Sequence, residues 1–204
     1  MIKMKKTETK KNIAIFVDNF KVGGIQKSLI NLLNNNDYDK WNIDVYVADC
    51  NDNFFNINKN ANIIKFNKVL PIFKFVPFNI VYKIYHPNIL NKEYDLAIDF
   101  DSYQMHTAIG ALKCNSKRKA IWIHNDIPIK LREEYKYRIL HFFFKKKYDY
   151  FDTYCAVSQG ALDSFKKINK VKNANKEYLV IPNYIDTKEI ADKLKEKCDI
   201  KVEK

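Results

Sequence analysis

Short runs of mostly apolar residues recur along this chain, and they constrain its fold more than any other feature. Polar and apolar residues do not alternate within these runs. Three of them are IAIFV (13–17), LAIDF (96–100) and AIWIH (120–124). Strands of this kind are expected to be buried on both faces of a sheet. Segments with helical spacing separate the runs, which is typical of βαβ units. We therefore predict an α/β fold: a single Rossmann-like, doubly wound, mostly parallel sheet with helices on both faces.

The boundaries of the predicted elements follow from the same pattern. Strands are predicted at about 12–18, 42–48, 62–66, 94–100, 119–124, 153–157 and 178–181. Apolar residues at helical spacing predict a helix after the first strand, with one stripe facing the sheet: Ile25, Leu29, Leu32 and Leu33. Further helices are predicted at about 102–112, 130–147, 159–168 and 187–197. Between residues 69 and 90, three prolines exclude one long helix.

The length and the two ends of the chain predict its domain organisation. Its 204 residues are the size of one large domain. We expect a basic tail at 1–11, a Rossmann-like domain at 12–182, and a linker at 183–204 whose polar helix begins a second domain absent from this chain. The apolar run at 13–17 is too short for a signal peptide, and no window approaches the ~20 apolar residues of a membrane span. We therefore expect a cytoplasmic protein.

The formal net charge of +12 is carried almost entirely by lysine. Such a charge suggests nucleic acid, an anionic membrane surface or a phosphorylated substrate as a partner. Arginine is the residue that binds phosphates and guanines with two parallel hydrogen bonds. The chain has only Arg118, Arg132 and Arg138, so we expect no nucleic-acid partner. The alternative interpretation is a composition bias in which the lysines only solvate the surface.

No cofactor and no metal are expected. The four cysteines are far apart, and the chain has neither a C-x-x-C motif nor paired histidines. The glycine motifs of dinucleotide-binding and P-loop proteins are also absent. Asp99-Phe100-Asp101 has the D-x-D pattern of metal-dependent transferases. Acidic residues at strand ends more often form turns and caps, which is the interpretation we favour here.

Two loops at the predicted carboxyl edge of the sheet carry the candidate site. Gly23 and Gly24 directly precede a helix, where glycine lets the backbone approach a ligand and the helix amides attract anions. The alternative is a simple turn. His124 leaves the fifth strand at the edge where open α/β sheets bind ligands, and it can form a hydrogen bond with a sugar hydroxyl or a phosphate. A purely structural histidine is the alternative.

Three further polar residues lie at this predicted edge. Asn125 and Asp126 follow His124 and either contact a ligand or shape the turn before Pro128. Ser158 follows the sixth strand without a detectable catalytic partner, so we interpret it as a helix N-cap that lies on the ligand edge.

Five stretches, taken in this order, resemble the N-terminal domain of glycosyltransferase family 4, a group of retaining GT-B enzymes. They are NIAIFVDNFKVGGIQKSLINLL, YDLAIDFDSYQMHTAIGAL, KAIWIHNDIP, FDTYCAVSQGALDSF and YLVIPNYIDTKEI. They span almost the whole chain, and the ordered set is far more specific than any one member. The WIHND strand end is similar to that of members that build capsular and other surface polysaccharides.

The resemblance implies roles for individual positions. Gly23 and Gly24 match the family's glycine pair, which faces the donor diphosphate and the acceptor. His124 matches a histidine near the transferred sugar and is the candidate catalytic residue. The linker that enters the family's second domain corresponds to 183–186, and Asn183 is a candidate substrate-binding residue with Asn125, Asp126 and Ser158. Gln26 stands where many members have glutamate, so a role for that carboxylate does not transfer to this chain.

The function implied is that of the acceptor-side half of a nucleotide-sugar glycosyltransferase in surface polysaccharide or glycolipid synthesis. Its expected partners are a nucleotide-sugar donor, a sugar, lipid-linked or polysaccharide acceptor, and a separate donor-binding domain or subunit. The basic, aromatic stretch at 130–147 is either a helix on an anionic membrane at the inner face of the plasma membrane or a helix packed on the sheet with a solvated lysine face. The alternative function is a catalytically inactive binding or subunit module of a split glycosyltransferase.

Overall fold

The computed structural model describes residues 9–50, 57–169 and 175–195. Most of the predicted basic tail, Cys198 and the last two residues of the helix predicted at 187–197 lie outside the described residues. Among those described, no helix combines the length and the apolar character needed to cross a bilayer.

All seven predicted strands and most of the predicted helices are present. The strands are β1 (Lys11–Asn19), β2 (Trp41–Asp49), β3 (Asn62–Lys65), β4 (Tyr94–Asp99), β5 (Ser116–Ile123), β6 (Thr153–Ala156) and β7 (Glu177–Val180). The α-helices are α1 (Gly24–Asn34), α2 (Phe78–Ile84), α3 (Met105–Lys113), α4 (Ile127–Glu133), α5 (Tyr135–Phe144), α6 (Gln159–Ile168) and α7 (Thr187–Lys193). Two 3-10 helices span Pro71–Phe75 and Lys145–Tyr150.

The strands form one seven-stranded sheet in the order β3-β2-β1-β4-β5-β6-β7, and every neighbouring pair is parallel. This arrangement confirms the predicted Rossmann-like α/β fold. Because the strands are parallel, all of their carboxyl ends lie along one edge. The strand order reverses at β1, whose neighbours are β2 and β4, and this reversal creates a switch point between β1 and β4.

Apolar side chains cover both faces of the sheet, which explains why its strands lack alternation. In β1, Ala14 and Phe16 belong to the cluster that includes helix α3. Ile15 and Val17, which point to the other face, belong to the cluster that includes helix α1. Phe16 stacks on Tyr46 of β2 with ring centroids 4.6 Å apart. The two clusters thus lie on opposite faces of the sheet whose strand ends form the carboxyl edge.

Two helix boundaries differ from the prediction. The helix predicted at 102–112 begins only at Met105, because Ser102 adopts a positive φ of 57° that a right-handed helix cannot contain. The helix predicted at 130–147 is divided into α4, α5 and a 3-10 helix. The division falls at Glu134, whose φ of −108° and ψ of 95° are extended. No proline or glycine marks this break in the sequence.

Candidate functional site

A cleft of about 710 Å³ opens at the switch point between the carboxyl ends of β1 and β4. Open α/β sheets bind ligands in this position because the loops diverge there and leave a crevice. We call it the switch-point cleft. Its polar lining includes Asp18, Gln26, Asp101, His106 and Asn125.

The floor of the switch-point cleft carries a carboxylate-histidine pair. Nε2 of His106, in α3, donates a hydrogen bond of 2.9 Å to Oδ1 of Asp18, at the end of β1. Burial by itself raises the pKa of Asp18, but interactions with His106, a hydrogen bond with Asn19 and the charge of Lys68 outweigh it and lower that pKa to about 2. Asp18 is therefore ionised at neutral pH. Nζ of Lys68 lies 3.5 Å from the same carboxylate oxygen.

Asp101 lies beside this pair, in the loop that follows β4. Its Oδ2 accepts a hydrogen bond of 3.1 Å from the backbone N–H of Asp18, which ties the ends of β1 and β4 together. The residue is only 5% exposed. Burial, followed by the negative charge of Asp99, raises the pKa of Asp101 to about 6. Two neighbouring carboxyl groups, Asp18 and Asp101, thus have pKa values shifted in opposite directions.

A buried charged layer supports the loop that carries Asp101. Asp99 and Lys147 are both fully buried. Oδ1 of Asp99 accepts a hydrogen bond of 3.1 Å from the backbone N–H of Ser102, and Nζ of Lys147 donates to the backbone carbonyl of Ser102. Burial raises the pKa of Asp99 and lowers that of Lys147. These contacts hold Ser102 in its strained backbone conformation.

The glycine loop lies next to the switch-point cleft. Gly23 is the N-cap of α1 and has extended backbone, with φ −178° and ψ 159°. A Cβ atom on Gly24 would meet no heavy atom within 4 Å, so open space adjoins the start of the helix. Ile25 and Gln26, the next two residues, line the cleft. Neither glycine has a positive φ, so the backbone conformation does not require glycine at either position.

His124 is placed at the carboxyl edge as predicted, but its ring is half-buried and is not part of the lining of the cleft. Its Nε2 donates a hydrogen bond of 2.8 Å to the backbone carbonyl of Phe100. The ring packs 4.8 Å from that of Phe100 and stacks on Trp122. Burial lowers the pKa of His124 to about 4. At neutral pH the ring is therefore uncharged, and Nδ1 is its hydrogen-bond acceptor.

The other predicted site residues fall into two groups. Asn125 lines the cleft, and its Nδ2 donates a hydrogen bond of 2.6 Å to the hydroxyl of Tyr103. Asp126 instead caps α4, because its Oδ1 accepts from the backbone N–H of Ile129 at 3.0 Å. Its Oδ2 accepts from the hydroxyl of Ser164 in α6 at 2.6 Å. These two hydrogen bonds support the interpretation in which Asp126 shapes the turn before Pro128.

Ser158 and Asn183 lie away from the lining of the cleft. Oγ of Ser158 accepts a hydrogen bond of 3.2 Å from the backbone N–H of Ala161, which is the N-cap interaction that the sequence predicts for α6. Oδ1 of Asn183 accepts a hydrogen bond of 2.8 Å from Oγ of Ser28. The segment after β7 is thereby attached to α1, close to the glycine loop.

One wall of the cleft is aromatic and carries a lysine. Nζ of Lys130 lies 4.0 Å from the ring centroid of Tyr103 and 5.2 Å from that of Tyr137. Cations are attracted to such ring faces. The wall therefore combines flat apolar surfaces with a positive charge.

Sequence reasoning did not single out Asp18, Asp101 and His106 as a cluster. Asp18 and His106 are 88 residues apart. The signal was nevertheless present, since Asp18 ends one buried strand and Asp101 follows another, and parallel strands end at the same edge. Recognising the cluster required knowledge that β1 and β4 are neighbours.

The structure gives the D-x-D segment a structural role at Asp99, whose side chain lies beneath the cleft rather than in it. Within residues 9–50, 57–169 and 175–195, no group of three or more His, Cys, Asp or Glu side chains could hold a metal ion.

Comparison with known proteins does not place this chain in a family. No protein-family model matches it, and a search of the curated proteins gives no significant match. Assignment of a function therefore depends on the geometry of the site and on the motif resemblance described above.

Proposed function

We propose that this chain is the acceptor-side half of a retaining nucleotide-sugar glycosyltransferase that acts in surface polysaccharide or glycolipid synthesis. The observation that carries the proposal is the shared position of the motifs. The glycine loop before α1, the His124-Asn125 strand end and the switch-point cleft all lie at the carboxyl edge of one parallel sheet. Ligands of open α/β folds bind at this edge.

The chemistry of the cleft supports a polyhydroxylated ligand. Carboxylate and amide groups of Asp18, Asp101 and Asn125 supply hydrogen-bond partners for hydroxyl groups. Tyr103 and Tyr137 supply flat surfaces against which the apolar face of a sugar ring can pack. The cleft thus combines directed polar groups with apolar and aromatic side chains, as small-molecule sites do.

The proposal divides the reaction between two sides of a groove. This chain positions the acceptor, and the backbone amides at the start of α1 face the diphosphate of the donor. A second domain or subunit holds most of the nucleotide sugar. Such an arrangement aligns the acceptor hydroxyl with the anomeric carbon, and alignment alone can supply much of a rate enhancement. His124, uncharged at neutral pH, acts in this scheme as a hydrogen-bond acceptor near the transferred sugar.

Binding measurements provide the first test of this division. Calorimetry should detect little affinity for uridine, adenosine or guanosine diphosphate, whereas NMR should detect weak binding of simple methyl glycosides. The opposite result, tight binding of a nucleoside diphosphate without glycoside binding, would contradict an acceptor-side role.

Sugar transfer provides the second test. The chain is combined with a donor-binding domain of a related transferase, and release of nucleoside diphosphate from a nucleotide sugar is followed together with the mass of the glycan product. His124→Ala should abolish transfer, whereas His86→Ala, at an exposed histidine in the loop after α2, should leave it unchanged. Glycoside binding with no transfer by any such combination would favour the alternative of an inactive binding module.

Exposed aromatic and basic residues support an anionic membrane surface as a further partner. The side chain of Phe142 in α5 is 67% exposed, and Nζ of Lys145 lies 5.5 Å from its ring centroid. Apolar rings beside lysines can enter a bilayer interface while the lysines meet anionic head groups. Sedimentation with phosphatidylglycerol vesicles should exceed that with phosphatidylcholine vesicles. Phe142→Ser should weaken it, and equal sedimentation with both lipids would exclude this partner.

A further inference from the structure

We propose that Asp101 binds a hydroxyl group of the acceptor sugar through Oδ1, and that Asp18 and His106 fix it in the position to do so. This inference deepens the proposed function and depends on it, since it names the residue that receives the sugar. The ligand class is an uncharged glycoside with free hydroxyl groups. Asp101 is not among the positions that the motif resemblance assigns to a ligand.

The hydrogen bonds of Asp101 leave one acceptor position open. Oδ2 accepts from the backbone N–H of Asp18 at 3.1 Å, whereas Oδ1 accepts no hydrogen bond from the part of the chain that the structure describes. The residue is only 5% exposed, and what remains exposed lines the switch-point cleft. A buried carboxylate without a full set of donors is unfavourable by itself. A sugar hydroxyl in the cleft supplies the missing donor.

The neighbouring groups fix the orientation of Asp101. The hydrogen bond between Asp18 and His106 joins β1 to α3 across the cleft floor. The bond from the Asp18 backbone then sets the plane of the Asp101 carboxylate. Beside it, Nδ2 of Asn125 is occupied by the hydroxyl of Tyr103, so the adjacent wall is also ordered. A preorganised acceptor loses little freedom when a ligand binds.

The charge of Asp101 makes binding depend on pH. The titratable groups that face it are Asp18 and His106 on the floor, Tyr103 on the wall, and Asp99 with Lys147 beneath the loop. Their net effect, together with burial, is a pKa of about 6 for Asp101. About a tenth of such a group is ionised at pH 5 and nearly all at pH 7.5. Because an ionised carboxylate accepts stronger hydrogen bonds, affinity should rise by up to about tenfold across this range.

Saturation-transfer NMR with the methyl glycosides of glucose, galactose and N-acetylglucosamine tests the proposal on the full chain. The variant is Asp101→Asn, which keeps an oxygen for the Asp18 backbone but removes the charge. The matched control is Asp39→Asn, an exposed carboxylate in the loop before β2, at the opposite edge of the sheet. We expect Asp101→Asn to bind the best glycoside about tenfold more weakly and without pH dependence, and Asp39→Asn to behave as the wild type.

A second measurement avoids reliance on a variant. In the wild type, the carboxyl ¹³C resonance of Asp101 should move when the glycoside is added, and that of Asp39 should not. If the wild type binds a glycoside but Asp101→Asn binds equally well, or the Asp101 resonance stays still, this inference fails while the proposed function stands. If the wild type binds no glycoside at any pH, the proposed function fails together with it.

Discussion

The buried position of Asp101 disfavours its ionised form. The substitution Asp101→Asn measures how much this costs in free energy of unfolding. A rise in its pKa from the ordinary 3.8 to about 6 means that the folded state holds a proton that the unfolded state has released. Stability is therefore lost as pH rises from about 4 to about 6, and the loss persists above that range. At 1.36 kcal/mol for each pKa unit, the unfavourable contribution at neutral pH is about 3 kcal/mol.

Asp101→Asn removes this contribution, because the amide is never charged and its oxygen can still accept the hydrogen bond of the Asp18 backbone. We expect the variant to be more stable than the wild type by up to about 3 kcal/mol at pH 7.5. At pH 4 the two should be nearly equal, since both then carry an uncharged side chain. Urea denaturation followed by circular dichroism at the two pH values measures the difference. Asp39→Asn, at an exposed position, is the control and should shift stability by less than about 0.5 kcal/mol.

Two results would refute this reasoning. A stability difference that is the same at pH 4 and at pH 7.5 would show that the carboxylate charge is not responsible. A variant less stable than the wild type at pH 7.5 would show that the ionised form of Asp101 is favoured by its surroundings.

Three further substitutions test the packing and a helix cap, and the first of them has a matched control. Gly110→Ala should lower the free energy of unfolding by about 1–3 kcal/mol, because the new Cβ would lie 2.5 Å from the ring of Phe16; Gly160→Ala, whose Cβ would meet only one atom, at 4.0 Å, should show no loss. Tyr94→Phe should lose about 1–3 kcal/mol, since its hydroxyl donates to a buried carboxylate at 2.7 Å. Ser158→Ala should lose about 1 kcal/mol in urea denaturation without a change in glycoside affinity, whereas reduced affinity would identify it as a ligand contact.

The fold was predictable because each strand carries its own signal. β1 was predicted at 12–18 and spans Lys11–Asn19, and α6 was predicted at 159–168 and spans Gln159–Ile168. Burial on both faces requires continuous apolar runs, and these are visible in the sequence without knowledge of the neighbours.

The break at Glu134 had no such signal. The residues around it are ordinary helix formers. The start of α3 was missed for the same reason, because Ser102 is held by Lys147 from 45 residues away. A tertiary contact helps to set the start of α3, and local propensity cannot report such contacts.

The sequence predicted which edge of the sheet carries the candidate site, but it did not predict the cluster of side chains on the cleft floor. The glycine pair and His124 follow from strand ends, which the sequence marks. Which strand ends are neighbours depends on strand order, and the pairing of Asp18 with His106 exists only because β1 lies beside β4. Of the positions predicted from motifs, Asn125 lines the cleft, whereas the cluster on the cleft floor became visible only with the topology.

The loop after β4 contains several unfavourable features that packing alone does not require. Ser102 has a φ of 57°, the ionisable side chains of Asp99 and Lys147 are buried beside it, and Asp101 is a carboxyl group with one oxygen left without a donor. Strained backbone and buried charge persist when the surrounding structure holds them in place, and they concentrate at functional sites. Asp101→Asn should therefore gain stability and lose glycoside affinity together. That opposition between stability and binding is expected of a binding residue, whereas a residue with a structural role would lose both.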